Sequence, residues 1–170
     1  MGPVGTIIMS IFGALFGTMG LMPLASTTSP LLLVLPALIG GLLVVTAVVR
    51  IRRSPGAYER PARVGRIIGW STAGEGVGIF LAVNIVINLG RPDLVLPAIA
   101  LVVGLHFLPM AYAIPFRPFY ANGASLLLVS AIGFALPQPT ATVATGVATA
   151  LALWIASYLA LGRQPPMRVR

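Results

Sequence analysis

Long apolar segments separated by short polar connectors make up most of this chain. A bilayer core about 30 Å thick requires about 20 apolar residues per helix. Six segments meet that length, at residues 4–25, 31–49, 67–89, 94–113, 119–136 and 140–161. None of them alternates apolar and polar residues with period two, so a transmembrane β-barrel is not expected. The pattern predicts an all-α integral membrane bundle of six helices, forming a single transmembrane domain over residues 1–170.

The composition supports a membrane protein and excludes several chemistries. The sequence is 58% hydrophobic and 8% charged, whereas a soluble domain carries about 25% charged residues. Cysteine and lysine are absent, which excludes thiolate metal sites, a lysine Schiff base and a phosphate-binding Walker loop. One histidine and three acids are too few for a metal cage. We therefore expect no metal and no cofactor, and an enzymatic activity is disfavoured.

The arginines predict the orientation in the membrane. Arginine-rich connectors face the cytoplasm in membrane proteins, and rich and poor connectors alternate along this chain. The richest, at residues 50–66, contains Arg50, Arg52, Arg53, Arg60, Arg63 and Arg66. This pattern predicts a protein of a bacterial plasma membrane with both termini, including the tail at 162–170, on the cytoplasmic side. It explains the net charge of +8 without a nucleic-acid partner. The six arginines are also candidates for binding anionic lipid headgroups.

The first segment has a second interpretation. It could be a signal peptide with Ala25 near the cleavage site, although it lacks a positively charged start and its apolar stretch is long. A retained first helix is the favoured interpretation, and the other five helices keep their orientation in either case.

Two ionisable residues, Glu75 and His106, fall within predicted spans. They lie at similar depth on consecutive helices, and a short turn makes such helices antiparallel neighbours. We expect these two residues to come close together. Three interpretations remain open: a structural ion pair or hydrogen bond, a proton relay, or two residues that do not meet. The glycines at 74, 76 and 78 favour a cavity-lining break in the third helix, or simple close packing. Pro109 predicts a kink beside His106.

Asn84 and Asn88 add polar groups on another face of the third helix. Asn84 follows Glu75 by nine residues, which is about 180° around a regular helix. Polar groups on opposite sides predict that the third helix is the most buried of the six and touches several others.

Small residues suggest how the helices pack. Gly13 and Gly17, and likewise Gly74 and Gly78, form GxxxG motifs, which allow close helix approach. Packing within the chain is the favoured use, and a homo-oligomer or another membrane protein remains a possible partner. The sequence Gly69-Trp70-Ser71-Thr72 is loosely similar to the serine motif of rhomboid-type proteases, but it lacks the glycine expected after Ser71.

The stretch at 70–109, especially Gly104-Leu105-His106-Phe107-Leu108-Pro109, resembles a loose group of small bacterial polytopic membrane proteins. The resemblance implies an integral membrane protein and supplies no activity, ligand or catalytic residue. Two functions follow from the residues themselves. One is small-solute or proton-coupled transport through a polar site at Glu75 and His106, with Ser71, Asn84 and Asn88 nearby. The alternative is a structural or accessory subunit whose buried polar residues only fix helix packing.

Overall fold

The computed structural model describes residues 3–25, 27–53, 62–114 and 116–162. Within these ranges the chain is all-α, with six α-helices and two short 3₁₀ turns at Pro30–Leu33 and Pro92–Leu94. Each of the six is long and apolar enough to cross a membrane. The helices are α1 at Pro3–Ala25, α2 at Val34–Arg53, α3 at Ala62–Asn88, α4 at Val95–Ala113, α5 at Pro118–Ala135 and α6 at Thr140–Leu161.

The helices on either side of the basic connector are longer than predicted. Arg50, Arg52 and Arg53 form the last turn of α2, and Arg63 and Arg66 belong to α3. Arginine is a good helix former, and its long side chain carries the charge away from the helix axis. The helical backbone therefore extends beyond the apolar segments. Arg60 and residues 163–170 of the tail predicted at 162–170 lie outside the described residues.

A glycine ends α3 and sets the tight turn into α4. Gly90 has φ +69°, a left-handed conformation that glycine adopts without steric cost. The Arg91 amide donates to the Val86 carbonyl at 2.8 Å, and the Gly90 amide donates to the Ile87 carbonyl at 2.9 Å. This pair of bonds is the Schellman arrangement that closes many helices. Since the turn is short, α4 returns directly alongside α3.

The six helices pack as a row in the order α2, α1, α6, α5, α4, α3, and α4 also contacts α6. The buried apolar core lies between the four inner members of this row. Its largest side chains are Met9 and Phe16 of α1, Leu96, Val103, Phe107 and Met110 of α4, Phe119 and Leu126 of α5, and Leu153 and Trp154 of α6.

The most extensive helix pair is α1 with α6, and glycines allow its close approach. A Cβ atom placed on Gly20 would lie 2.7 Å from the Gly146 Cα, so neither position has room for a side chain. A Cβ atom on Gly17 would contact Pro36 of α2 and Ala150 of α6. The first GxxxG motif therefore packs within the chain, as the sequence favoured. In the second motif, Gly78 faces Val102 of α4, while Gly74 has open space beside it.

The prediction that the third helix is the most buried is wrong for the single chain. Val86 is the one buried residue among those described in α3, whereas α4 has nine. Because α3 stands at one end of the row, it packs against α4 and leaves most of its circumference uncovered. The prediction assumed that helices of the same chain cover both polar faces of α3. In the structure only the face toward α4 is covered, because α3 is the last helix of the row.

Candidate intramembrane polar site

Ser71, Glu75 and His106 meet at the interface between α3 and α4. Ser71 and Glu75 are four residues apart on α3, so they share the face that packs against α4. His106 Nδ1 lies 3.0 Å from Ser71 Oγ and 3.6 Å from Glu75 Oε2. The expected approach of Glu75 and His106 is confirmed, and Ser71 joins them.

The hydrogen bonds determine where the histidine carries its proton. The Ser71 hydroxyl donates to the His106 main-chain carbonyl at 3.2 Å. His106 Nδ1 lies 3.1 Å from the Ser71 main-chain carbonyl. That carbonyl and an ionised Glu75 carboxylate can only accept, so Nδ1 is the protonated nitrogen whenever Glu75 is ionised. In the neutral ring Nε2 then keeps its lone pair and can take up a second proton.

This arrangement differs from a serine-protease catalytic relay. In such a relay the nucleophilic serine and the acid bind opposite nitrogens of the imidazole, so that one accepts the serine proton while the other is held by the acid. Here Ser71 and Glu75 both lie beside Nδ1. The cluster therefore lacks the geometry of a histidine base for Ser71, and the weak similarity to rhomboid-type proteases gains no support from it.

The cluster is largely but not completely enclosed. The side chain of His106 is 9% exposed and that of Glu75 is 16% exposed. Gly74 and Gly76 flank Glu75, and a Cβ atom at either would meet nothing within 4 Å. The surface beside the carboxylate is therefore open along α3. The helix itself runs without interruption from Ala62 to Asn88, so these glycines do not break it.

Pro109 lies within α4, which continues to Ala113. Its missing N–H leaves the Leu105 carbonyl without its usual helical partner, one residue before His106.

Asn84 and Asn88 do not join the cluster. Both are exposed, and the Asn84 side-chain amide donates to the Phe80 carbonyl of its own helix at 2.7 Å. The expected angle of about 180° between Glu75 and Asn84 agrees with the structure, because Glu75 faces α4 and Asn84 is exposed. The candidate site therefore keeps Ser71, Glu75 and His106 and excludes both asparagines.

The described arginines of the basic region pair with no acid among the residues that the structure describes. Five lie exposed at the end of α2 and the start of α3: Arg50, Arg52, Arg53, Arg63 and Arg66. Among the described residues Asp93 pairs with Arg91 at 2.9 Å, and Glu75 pairs with His106. The five guanidinium groups are therefore available to a phosphate-bearing surface.

Sequence reasoning missed a buried polar seam between α1 and α6. The hydroxyls of Ser10 and Ser157 share a hydrogen bond at 2.8 Å, and Ser157 also donates to the Thr6 carbonyl at 3.2 Å. The Trp154 indole donates to the Ser10 carbonyl at 3.3 Å. Thr6 and Ser10 are four residues apart, and that spacing of small polar residues in an apolar segment was the available signal.

A second missed contact ties two connectors together. Pro97 has no N–H, so the Asp93 carbonyl lacks its helical partner. The Gln138 side chain donates to that carbonyl at 2.8 Å, and Thr142 donates to the Gln138 side-chain oxygen at 2.7 Å. A free carbonyl is predictable from a helical proline, but the group that binds it depends on the fold.

No group of three or more histidine, cysteine, aspartate or glutamate side chains that could hold a metal occurs in the described part of the chain. No protein-family model matches this chain, and the comparisons with curated proteins and with solved structures give no significant match. The resemblance noted for the Gly-Leu-His-Phe-Leu-Pro stretch stays a prediction.

Proposed function

We propose that this chain is a multi-pass protein of a bacterial plasma membrane, in which the Ser71–Glu75–His106 cluster relays protons across the membrane, the step on which any coupling to a small solute would depend. The observation that carries the proposal is the 3.6 Å separation of Glu75 Oε2 and His106 Nδ1. An ionisable pair inside apolar helices is costly and is a functional-site hypothesis by default.

The depth of the pair supports this role. Glu75 is the midpoint of α3, thirteen residues from each end, which is about 20 Å along the axis in either direction. His106 lies close to the middle of α4. A proton bound here is far from both ends of the two helices, as a relay site halfway across a bilayer requires.

The chemistry of the pair suits proton transfer. A carboxylate and an imidazole in contact can share one proton, either as a glutamate–imidazolium pair or as two neutral groups. Both states are close to neutral overall, so the exchange avoids leaving an isolated charge in an apolar environment. Ser71 holds the ring by its contacts with Nδ1 and the His106 carbonyl. Because Nδ1 is the nitrogen beside Glu75, the proton is exchanged there, and in the state with two neutral groups the ring keeps its proton on Nε2.

Proton flux in liposomes tests this proposal. The full chain is reconstituted with a pH-sensitive dye inside, and a potassium diffusion potential drives proton entry. We expect the parent chain to conduct, and Glu75→Gln and His106→Asn to fall to the level of protein-free liposomes. Asp93→Asn is the matched control, because it removes a half-buried carboxylate outside the cluster, and its flux should equal that of the parent.

Two results overturn proton transfer through this cluster. One is a parent chain that conducts no more than empty liposomes under every imposed gradient. The other is a Glu75→Gln variant that conducts like the parent.

A second candidate function is that of a structural or accessory subunit. It is favoured by the contacts between Ser71 and His106, which attach an end helix of the row to its neighbour. In that case the parent shows no flux, and Glu75→Gln and Ser71→Ala change only the stability of the protein.

The orientation belongs to the same proposal. We place both termini and the five described arginines of the basic region on the cytoplasmic side, where positively charged residues accumulate. Exposed guanidinium groups are suited to anionic lipid phosphates.

A further inference from the structure

We propose that the outer face of α3 binds a second copy of this chain. This face is the stripe of Gly69, Ala73, Gly76, Phe80 and Asn84, which recur every three or four residues and are all exposed. It lies opposite the face that packs on α4, which contains Ser71, Glu75 and Gly78.

Asn84 indicates which partner binds this face. It lies four residues before the end of α3, about 6 Å along the axis. Exposed apolar side chains stand on both sides of it in the chain, at Leu81, Ile85 and Ile87, so it belongs to the apolar part of the helix. Its amide group donates to the Phe80 carbonyl, and its side-chain oxygen accepts no hydrogen bond from the described residues. An amide facing lipid leaves polar atoms without partners at a substantial free-energy cost.

A second copy satisfies this group because an amide is both donor and acceptor. Around a two-fold axis each Asn84 can donate its second N–H to the oxygen of the other. In a two-fold interface the same patch meets itself, so one exposed amide provides both halves of the pair. A different membrane protein would have to supply a matching group, and a lipid tail has none.

The surface around Asn84 fits a close helix contact. A Cβ atom on Gly69 or Gly76 would meet nothing within 4 Å, so another helix can approach the backbone there, as small residues allow in membranes. Phe80 is 66% exposed and Val77 is 60% exposed, and they supply apolar area between the small residues and Asn84. Such a dimer would cover both polar faces of α3.

Cross-linking tests the interface directly. The sequence has no cysteine, so a single introduced cysteine is the only thiol in the full chain. Membranes containing Ala73→Cys or Phe80→Cys are treated with a copper oxidant. Two-fold partners in contact bring these positions within disulfide range, and we expect a covalent dimer. Leu42→Cys is the matched control, because it is exposed on α2 at the opposite end of the row.

Energy transfer between labelled copies in lipid measures the association. Asn84→Leu should raise the dimer dissociation constant by about threefold or more. Thr46→Val is the control, since Thr46 is also exposed and bonds only its own helix, at the Leu42 carbonyl. A chain that stays monomeric at every protein-to-lipid ratio overturns the proposal. So does equal cross-linking at Leu42→Cys and Ala73→Cys, or an Asn84→Leu variant that associates as strongly as the parent.

Discussion

Ser71 and His106 bind each other in both directions across two helices. The serine hydroxyl donates to the histidine carbonyl at 3.2 Å, and the histidine ring nitrogen Nδ1 lies 3.1 Å from the serine carbonyl. In both residues the side chain and the main-chain carbonyl take part in these contacts. They fix the position of the imidazole beside Glu75, and they attach α3 to the rest of the protein.

Removing the Ser71 hydroxyl should loosen this attachment. We expect Ser71→Ala to lower the free energy of unfolding by about 1 kcal/mol, the typical net contribution of one hydrogen bond. Thr46→Ala is the matched control, because its hydroxyl bonds only the Leu42 carbonyl of the same helix and should cost less. Reversible unfolding in mixed micelles measures both variants, and equal losses would show that Ser71 does not hold the two helices together.

The crossing of α1 and α6 should not tolerate a methyl group at Gly146. Its Cβ would overlap the Gly20 backbone and the Phe16 carbonyl, so the helices would have to separate. We expect Gly146→Ala to destabilise the protein by about 1–3 kcal/mol, as overpacking does. Gly41→Ala on α2 has nothing within 4 Å of the added atom and should be neutral or stabilising. The thermal unfolding midpoints of the two variants test this prediction. An unchanged midpoint for Gly146→Ala would mean that α1 and α6 pack less tightly than the structure shows.

Ser10 and Ser157 should be energetically coupled. Their hydroxyls share a buried bond, so the combined loss in a double variant should differ from the sum of the single losses. We expect a coupling free energy of about 0.5–1.5 kcal/mol from the double-mutant cycle of Ser10→Ala and Ser157→Ala. Ser130→Ala provides the control, because Ser130 bonds the Pro97 carbonyl instead. Its effect should add to that of Ser10→Ala, and an additive Ser10–Ser157 pair would argue against the bond.

The connectors should be accessible from opposite sides of the membrane. Thr28 lies in the first connector and Arg53 at the end of α2, and both are exposed. An impermeant maleimide should label Thr28→Cys in intact cells and Arg53→Cys only after permeabilisation, because the arginine-rich side stays in the cytoplasm. The reverse pattern would reject the proposed orientation, and it would leave the described packing unchanged.

Local properties of α3 could be predicted from the order of its residues. The 3.6-residue repeat places Glu75 and Asn84 on opposite sides of any continuous helix, and the structure agrees. Which side is covered could not be predicted in this way. The rule that polar groups need partners does not say whether the partner is in the same chain. Among the described residues, the one partner of Asn84 is the Phe80 carbonyl of its own helix.

The approach of Glu75 and His106 was predictable for a similar reason. A short turn between two apolar segments forces antiparallel neighbours, and counting residues from that turn gives their depth. Ser71 was singled out as a polar residue, but its bonds to His106 depend on how the two helices are rotated about their axes. That rotation is set by contacts such as Gly78 on Val102, and no rule of spacing gives it.

The lengths of the apolar segments and the turn residues between them determined six helices long enough to span a bilayer. Helix length and the hydrogen bonds of a helical backbone depend only on residues that are close in sequence. The order of the helices in the row was decided only by tertiary packing. Gly20 and Gly146 are 126 residues apart in the chain. They meet because neither has a side chain and because the surfaces of α1 and α6 are complementary in shape. That choice of neighbours places α3 at the edge and leaves its outer face uncovered.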